Sequence, residues 1–248
     1  PHAPASERRA FSRAPSDRWR TALTSIAPNS IAVRGYALDE MMGRLSFADA
    51  VYLLLMGELP TPAIWRMLNA ILVSSIDHGV TPPSTIASRN VATTGAPLKD
   101  CAAAGRMALG PHHGGDIESC RRFLNQGLAL VRGGQTMDEA AGQLTDECVR
   151  DGVTPAGFGH RFHTRDPRAV RLFQMAMELE LEGEHVHMMR AIERALAARE
   201  EAIGLHLPIN VDGAMAAISA DLGFAYELGT AIYMISRLPG LLANAHEE

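Results

Sequence analysis

The sequence predicts an almost all-α protein of many helices joined by short loops. Three observations carry that expectation. Apolar residues recur at three- and four-residue spacing from about residue 46 to the end. The periodic stretches begin at Ser, Thr, Asp or Pro and stop at Gly. Ala and Gly occupy many core-facing positions, which lets helices pack closely.

The elements follow in order. Residues 1–20 (PHAPASERRAFSRAPSDRWR) read as a loose arm: the stretch is polar, has no apolar core of a secretory signal, and carries Glu7 and Asp17 among its arginines. Residues 21–37 hold the strand character, with IAVRGY as a short hairpin-like element. SFADAVYLLLMG (46–57) starts at a Ser cap and stops at Gly57. ELPTPAIWRMLNAILVSS (58–75) restarts after Pro62 and places Ile64, Met67, Leu68, Ile71 and Leu72 on one face. Helices are predicted over 81–95, 97–110, 116–134, 136–152 and 166–183. Residues 184–204 read as one long amphipathic helix, with Met188, Ile192, Leu196 and Ala197 along one side. Segments 209–223 and 224–240 complete the series. Met175, Met177, Met188 and Met189 read as core filler. His185, His187 and His206 read as surface or boundary residues, and no internal repeat is visible.

The 248 residues, 47% hydrophobic, suffice for one large domain or a large domain with a small lobe. A net charge of −5 without a Lys/Arg cluster gives no nucleic-acid footprint. Lys99 is the single lysine. Cys101, Cys120 and Cys148 are odd in number and form no CxxC pair, which argues against a disulfide framework or zinc ribbon. A reducing compartment fits best, so a cytoplasmic location is expected. The apolar run AVYLLLM (50–56) falls far short of a membrane span.

Three punctuated segments carry the chemistry: His113 in GPHHGG (110–115), His160 in GFGHRFHTRDPRA (157–169) and Asp212 in PINVDG (208–213). Each lies at a break between helices, where a turn can aim a side chain into a cleft. Two hydrogen-bond donors and one carboxylate base are the minimum needed to make and hold an enolate. Each residue also has a plainer reading. His112 and His113 could sit at a helix cap, and Asp212 could be an N-terminal acid whose pKa the helix dipole lowers. Arg168 sits in a first helical turn, where a cation is disfavoured unless it faces an anion. His78, Arg34 and Arg237 offer further anion contacts, although Arg237 near a helix end also suits the dipole. A zinc site from His160, His163, His112 and His113, as in a metal-dependent hydrolase, matches no ligand spacing and has no thiolate.

Taken together, RGY (34–36), SFADAVYLLLMGELPT (46–61), DHGVTPPS (77–84), GPHHGG, GFGHR…DPRA, NVD and SRLPG resemble the citrate synthase superfamily. Its short citryl-CoA lyase-like members are the nearest match. The similarity runs from about residue 24 to the end. The resemblance implies an all-α fold in which a large and a small domain close over a cleft. The small domain would span 153–206. The large domain would comprise 21–110, 111–152 and 207–248, the last bearing the catalytic Asp. It implies that His113, not His112, stabilises an acetyl-CoA enolate. His160 would donate to the keto or hydroxyl oxygen, and in cleavage accept the hydroxyl proton. Asp212 would move the proton at carbon, and His78, Arg168 and Arg237 would hold carboxylates. The loop Pro155, Ala156, Gly157, Phe158 and Gly159 would recognise CoA through its backbone. No permanently bound cofactor or metal is implied; a coenzyme A thioester is substrate, with acetyl-CoA or citryl-CoA and oxaloacetate as ligands of a homodimer or higher homo-oligomer. The implied reaction is cleavage of citryl-CoA. The alternatives are citrate or 2-methylcitrate synthesis and, more distantly, a non-catalytic CoA-ester-binding homologue. Two departures stand out: DPR lies one residue nearer His160 than is usual, and a further carboxylate-binding Arg, supplied across a dimer interface, would lie beyond residue 248.

Overall fold

The segment with strand character forms a three-stranded antiparallel sheet, β1 (Thr24–Ala27), β2 (Ser30–Val33) and β3 (Tyr36–Ala37). This is a computed structural model that describes residues 21–110, 113–114 and 116–248. The arm expected over 1–20 lies outside the described residues, as do Pro111, His112 and Gly115 of GPHHGG. Both turns use positive φ: Asn29 at 59° after Pro28, and Arg34-Gly35 at 50° and 89°. The second is the two-residue turn whose twist suits a hairpin, and it closes the Val33–Tyr36 pair. Helices α1 (Leu38–Met41) and α2 (Phe47–Met56) follow. Ser46 and Asp49 form a reciprocal capping box at the start of α2. Arg34, one of the anion contacts the sequence offered, sits in the second of the sheet's turns. Its Nη2 donates to the Leu54 carbonyl at 2.9 Å, spending its charge on the C-terminal end of α2. These elements belong to a compact unit that ends at Leu59; a second begins at Pro60.

The second unit contains α3 (Pro62–Ser74), α4 (Pro83–Ala92), α5 (Leu98–Met107), α6 (Asp116–Arg132), α7 (Met137–Asp151), α8 (Pro167–Glu178), α9 (Glu184–Ala197), α10 (Glu200–Ile203), α11 (Val211–Asp221) and α12 (Leu228–Glu247). Lys99 lies in the first turn of α5, 78% exposed at its side chain and paired with Asp100. At the middle is α11, with Val211 and every residue from Gly213 to Ala220 buried and with α6, α8 and α9 packed around it. A helix apolar on all sides belongs in a core, and its Ala and Gly residues allow neighbours close. Among the described residues no helix is long and apolar enough to cross a membrane.

Three boundaries depart from the sequence pattern. The predicted helix over 166–183 stops at Glu178, because Glu180 takes φ 57° and the Leu181 N–H closes on the Ala176 carbonyl. This is a Schellman-type ending with Glu where Gly is usual. Met177 is therefore 57% exposed and is not core filler. The single helix expected over 184–204 is two. It breaks at Arg199, whose guanidinium turns back onto α7 through Asp146 (2.6 Å) and the Gly142 carbonyl (3.3 Å). Ala197, expected on the apolar side, is exposed. The helix expected to stop at Gly240 instead runs through Pro239 to Glu247. Its buried face, Tyr233, Ser236, Arg237, Gly240, Leu241, Asn244 and Ala245, keeps helical spacing across the proline, so packing overrides the local break.

His185 is more than a boundary residue. Gly183 offers no side-chain cap to α9, and Asp221 from the end of α11 supplies one, accepting from the Gly183, His185 and Val186 N–H groups at 2.8–3.1 Å. The His185 ring bonds Asp221 through Nδ1 and Asn125 through Nε2.

Candidate active site

The GFGH loop and the PIN segment meet as a short strand pair. Phe158 bridges Ile209, the Gly159 N–H donates to the Pro208 carbonyl at 2.8 Å, and the Asn210 N–H donates to the Gly157 carbonyl at 3.0 Å. The Asn210 side chain adds a bond to the Gly159 carbonyl and caps α11 by accepting from the Gly213 N–H. Contact is so close that a Cβ on Gly157 would lie 2.8 Å from the Gly213 Cα. This pairing delivers His160 from one segment and Asp212 from the other. It also uses backbone groups of Gly157 and Gly159 that the sequence had offered to a ligand.

His160 is oriented by its own loop. Its Nδ1 accepts the N–H groups of Phe162 and His163, both at 3.1 Å. The neutral ring therefore carries its proton on Nε2, which faces the Arg168 guanidinium at 3.4 Å. Both groups are donors there, so an acceptor between them is what the geometry calls for. Desolvation, then the neighbouring His163, pushes the His160 pKa down, keeping the ring neutral.

Arg168 is held by Asp166, whose carboxylate accepts from Arg168 Nε (3.0 Å) and Nη2 (2.8 Å) and from the Arg168 N–H at the start of α8. The same carboxylate accepts the Val211 N–H at 3.0 Å, one residue before Asp212. Asp166 is 1% exposed. Burial alone would raise its pKa, but the hydrogen bonds and charge of Arg168 hold it below the usual range. His78 approaches Arg168 Nη1 through Nδ1 at 3.5 Å. Its pKa is pushed down to about 4, by desolvation first and then by Arg168 and Arg237.

His113 sits in a turn closed by reciprocal Gly110–His113 backbone bonds of 2.9 Å. Its Nε2 lies 2.7 Å from the hydroxyl of buried Ser84, in the first turn of α4. With that hydroxyl donating, the ring proton falls on Nδ1 and makes it a donor. Desolvation and then Arg237 lower its pKa. Asp212 is half-buried in the first turn of α11. Its pKa is raised to about 6, by desolvation and then by Asp116, against the pull of Arg168 and Arg237. The helix dipole expected to weaken it as a base is overcome by its surroundings. Arg237 is 1% exposed. Its Nε donates to the Ser75 carbonyl at 2.8 Å, and among the described residues Nη1 has no partner.

The structure thus brings His78, His113, His160, Arg168, Asp212 and Arg237 into one electrostatically coupled cluster of the second unit. A cavity of about 180 Å³ lies against His78, His113 and His160, with Phe162 on its wall. Sequence reasoning missed Ser84, whose signal is its place in the helix start PPS, and read Asp166 only as a helix-start residue. Among the described residues, no group of three or more His, Cys, Asp or Glu is arranged to hold a metal ion.

Residues 60–248 match the family described as citrate synthase, C-terminal domain. The fold is similar to that of citryl-CoA lyase from Hydrogenobacter thermophilus, with a TM-score of 0.82 and 39% identity, covering 93% of this chain and 86% of that one. Citrate synthase 2 of Bacillus subtilis is 30% identical over 196 residues, 77% of this chain and 49% of the relative. Citrate synthase of Deinococcus radiodurans is 28% identical over 229 residues, 90% of this chain and 58% of the relative. The chain spans about half the length of the curated relatives it matches.

Proposed function

The chain belongs to the citrate synthase family, and on that premise we propose that it breaks the carbon–carbon bond of citryl-CoA to give acetyl-CoA and oxaloacetate, and makes it in reverse. The observation that carries this reading is the buried Arg237 guanidinium with an unpartnered Nη1. A buried cation in that state is costly until an anion completes it, and Arg168, His160 Nε2–H and His78 stand around the same space. A polycarboxylate is the ligand that satisfies all of them. The likeness to a citryl-CoA lyase over most of both chains supports the direction chosen.

In this reading Arg168 and Arg237 hold the carboxylates of the oxaloacetate half, with His78 beside them. As the bond breaks, the hydroxyl proton passes to solvent water and the oxygen becomes the keto oxygen of oxaloacetate; His160 Nε2–H donates to that oxygen as charge develops on it, the ring being held by the backbone bonds to Nδ1. His113 Nδ1–H holds the enolate oxygen. Asp212 delivers a proton to the enolate carbon and is left ionised; solvent, which received the hydroxyl proton, returns one to it, so the cycle closes with no net proton change. The loop Pro155–Gly159 contacts CoA, residues 153–206 close as the small domain, and the working form is a homo-oligomer. The thioester is the substrate, and no resident cofactor enters these steps.

Incubation with citryl-CoA tests the reading: acetyl-CoA and oxaloacetate are the expected products. Free CoA and citrate would replace lyase by synthase-type chemistry, and an unchanged substrate would overturn both. The pH dependence carries a sign. Cleavage needs Asp212 protonated, whereas removal of a methyl proton from acetyl-CoA needs it ionised. With its pKa at about 6, cleavage is expected to slow as pH rises through that value. Solvent-deuterium exchange into acetyl-CoA should slow as pH falls through it.

A further inference from the structure

Helix α12 carries a second polar group toward the same cluster that the proposed reaction leaves unused. Tyr233 lies one turn before Arg237 on the buried face of α12 and is 4% exposed. Its ring packs against the Arg237 guanidinium, 5.2 Å from Cζ to the ring centre. The opposite contact is Gly114, the residue after His113, where a Cβ would come within 2.6 Å of the Tyr233 ring. Gly114 also takes φ 70°, so the backbone beside His113 is shaped to seat this ring. Burial, and then the charges of Arg237, Asp212 and Arg168, act on the phenol, and among the described residues no hydrogen bond reaches its hydroxyl. Burial outweighs the arginines and pushes the pKa up to about 12, so the hydroxyl keeps its proton at neutral pH.

A tyrosine hydroxyl set among charged groups ordinarily finds a hydrogen-bond partner. Phenylalanine would fill the same space between Gly114 and Arg237. The hydroxyl therefore needs a reason, and the residues around the ring supply one: the ring lies against the Arg237 guanidinium, within electrostatic reach of Asp212 and Arg168. We propose that the Tyr233 hydroxyl donates a hydrogen bond to the oxaloacetate half of the substrate beside Arg237, making it a further substrate-contacting residue. This rests on the ligand class assigned above and adds to it a neutral donor that selects for an oxygen acceptor at that position.

Tyr233→Phe separates the hydroxyl from the ring. Unfolding temperature and acetyl-CoA affinity are expected to stay at the wild-type level. Affinity for oxaloacetate, read by calorimetry, should fall about tenfold or more, and kcat/KM for citryl-CoA should fall with it. Wild-type oxaloacetate affinity in the Phe variant would overturn the proposal, because ring packing would then be the whole role. Weakened oxaloacetate binding in a protein that does not turn over citryl-CoA would uphold Tyr233 and sink the lyase reading. Turnover by wild type and variant alike would sink Tyr233 alone. A wild-type protein that binds no oxaloacetate would overturn the proposal outright.

Discussion

Asp212→Asn is expected to lose activity and gain stability in the same molecule. The carboxylate sits in the first turn of α11, where an acid is ordinarily favoured, yet desolvation and the nearby Asp116 raise its pKa from 3.8 to about 6. A carboxyl that is harder to ionise in the folded state than in the unfolded state contributes stability only while it is protonated. That contribution is complete below the unfolded value near 3.8, is lost as pH rises through about 6, and leaves a penalty at neutral pH. The rise from 3.8 to about 6 makes that penalty on the order of 3 kcal/mol. Asparagine removes the charge and most of the penalty but cannot carry the proton. Turnover and acetyl-CoA exchange should fall by roughly a thousandfold, CoA binding should persist, and the denaturation midpoint at neutral pH should rise. A variant with full activity, or one that is destabilised at neutral pH, contradicts the argument.

Asp166→Ala is expected to be the most damaging single change for the fold of the site. One carboxylate holds the Arg168 guanidinium, the Arg168 N–H and the Val211 N–H. Removing it leaves a partly buried cation without its partner and two helix N-termini without an acceptor. Loss of one member of a buried pair costs about 3–5 kcal/mol, and the lower end applies because Arg168 keeps 20% of its side chain exposed. Denaturant unfolding should show that loss, and KM for citryl-CoA should rise as Arg168 loses its aim. Asp166→Asn keeps the acceptor for Val211 and should recover part of the stability without the substrate affinity. Equal KM in both variants and the wild type would remove Asp166 as the positioning residue for Arg168.

The helix series was legible because its signals are local: Ser46 with Asp49, Thr136 with Glu139, and Pro62 and Pro167 in first turns all do what their types require. The misreadings are places where a distant partner decides. Glu180 in a left-handed ending, Arg199 folded onto α7 and Pro239 inside α12 each follow contacts absent from local sequence. The site divides the same way. His113, His160 and Asp212 announced themselves through glycine- and proline-marked breaks, and the structure places them in one cluster. Arg34 shows the limit of such signals, because an arginine in a turn has the same signature whether it meets a ligand or a helix end. Asp166 carried a visible capping role that concealed its bond to Arg168, and the raised pKa of Asp212 arises first from burial and then from Asp116, 96 positions away in sequence.

The cations around the cleft are all guanidinium groups, and the chain's one amine-bearing side chain, Lys99, projects from the first turn of α5 with 78% of its surface in solvent. An activated thioester acylates amines; guanidinium groups stay protonated and do not compete. Cys120, beside Asp212 and Asp116, is held in its unreactive thiol form because burial raises its pKa. On the reading proposed above, this furnishing means that electrostatic grip on an acyl-CoA comes without a competing amine or thiolate, so the site resists N- and S-acylation by the thioester it would hold.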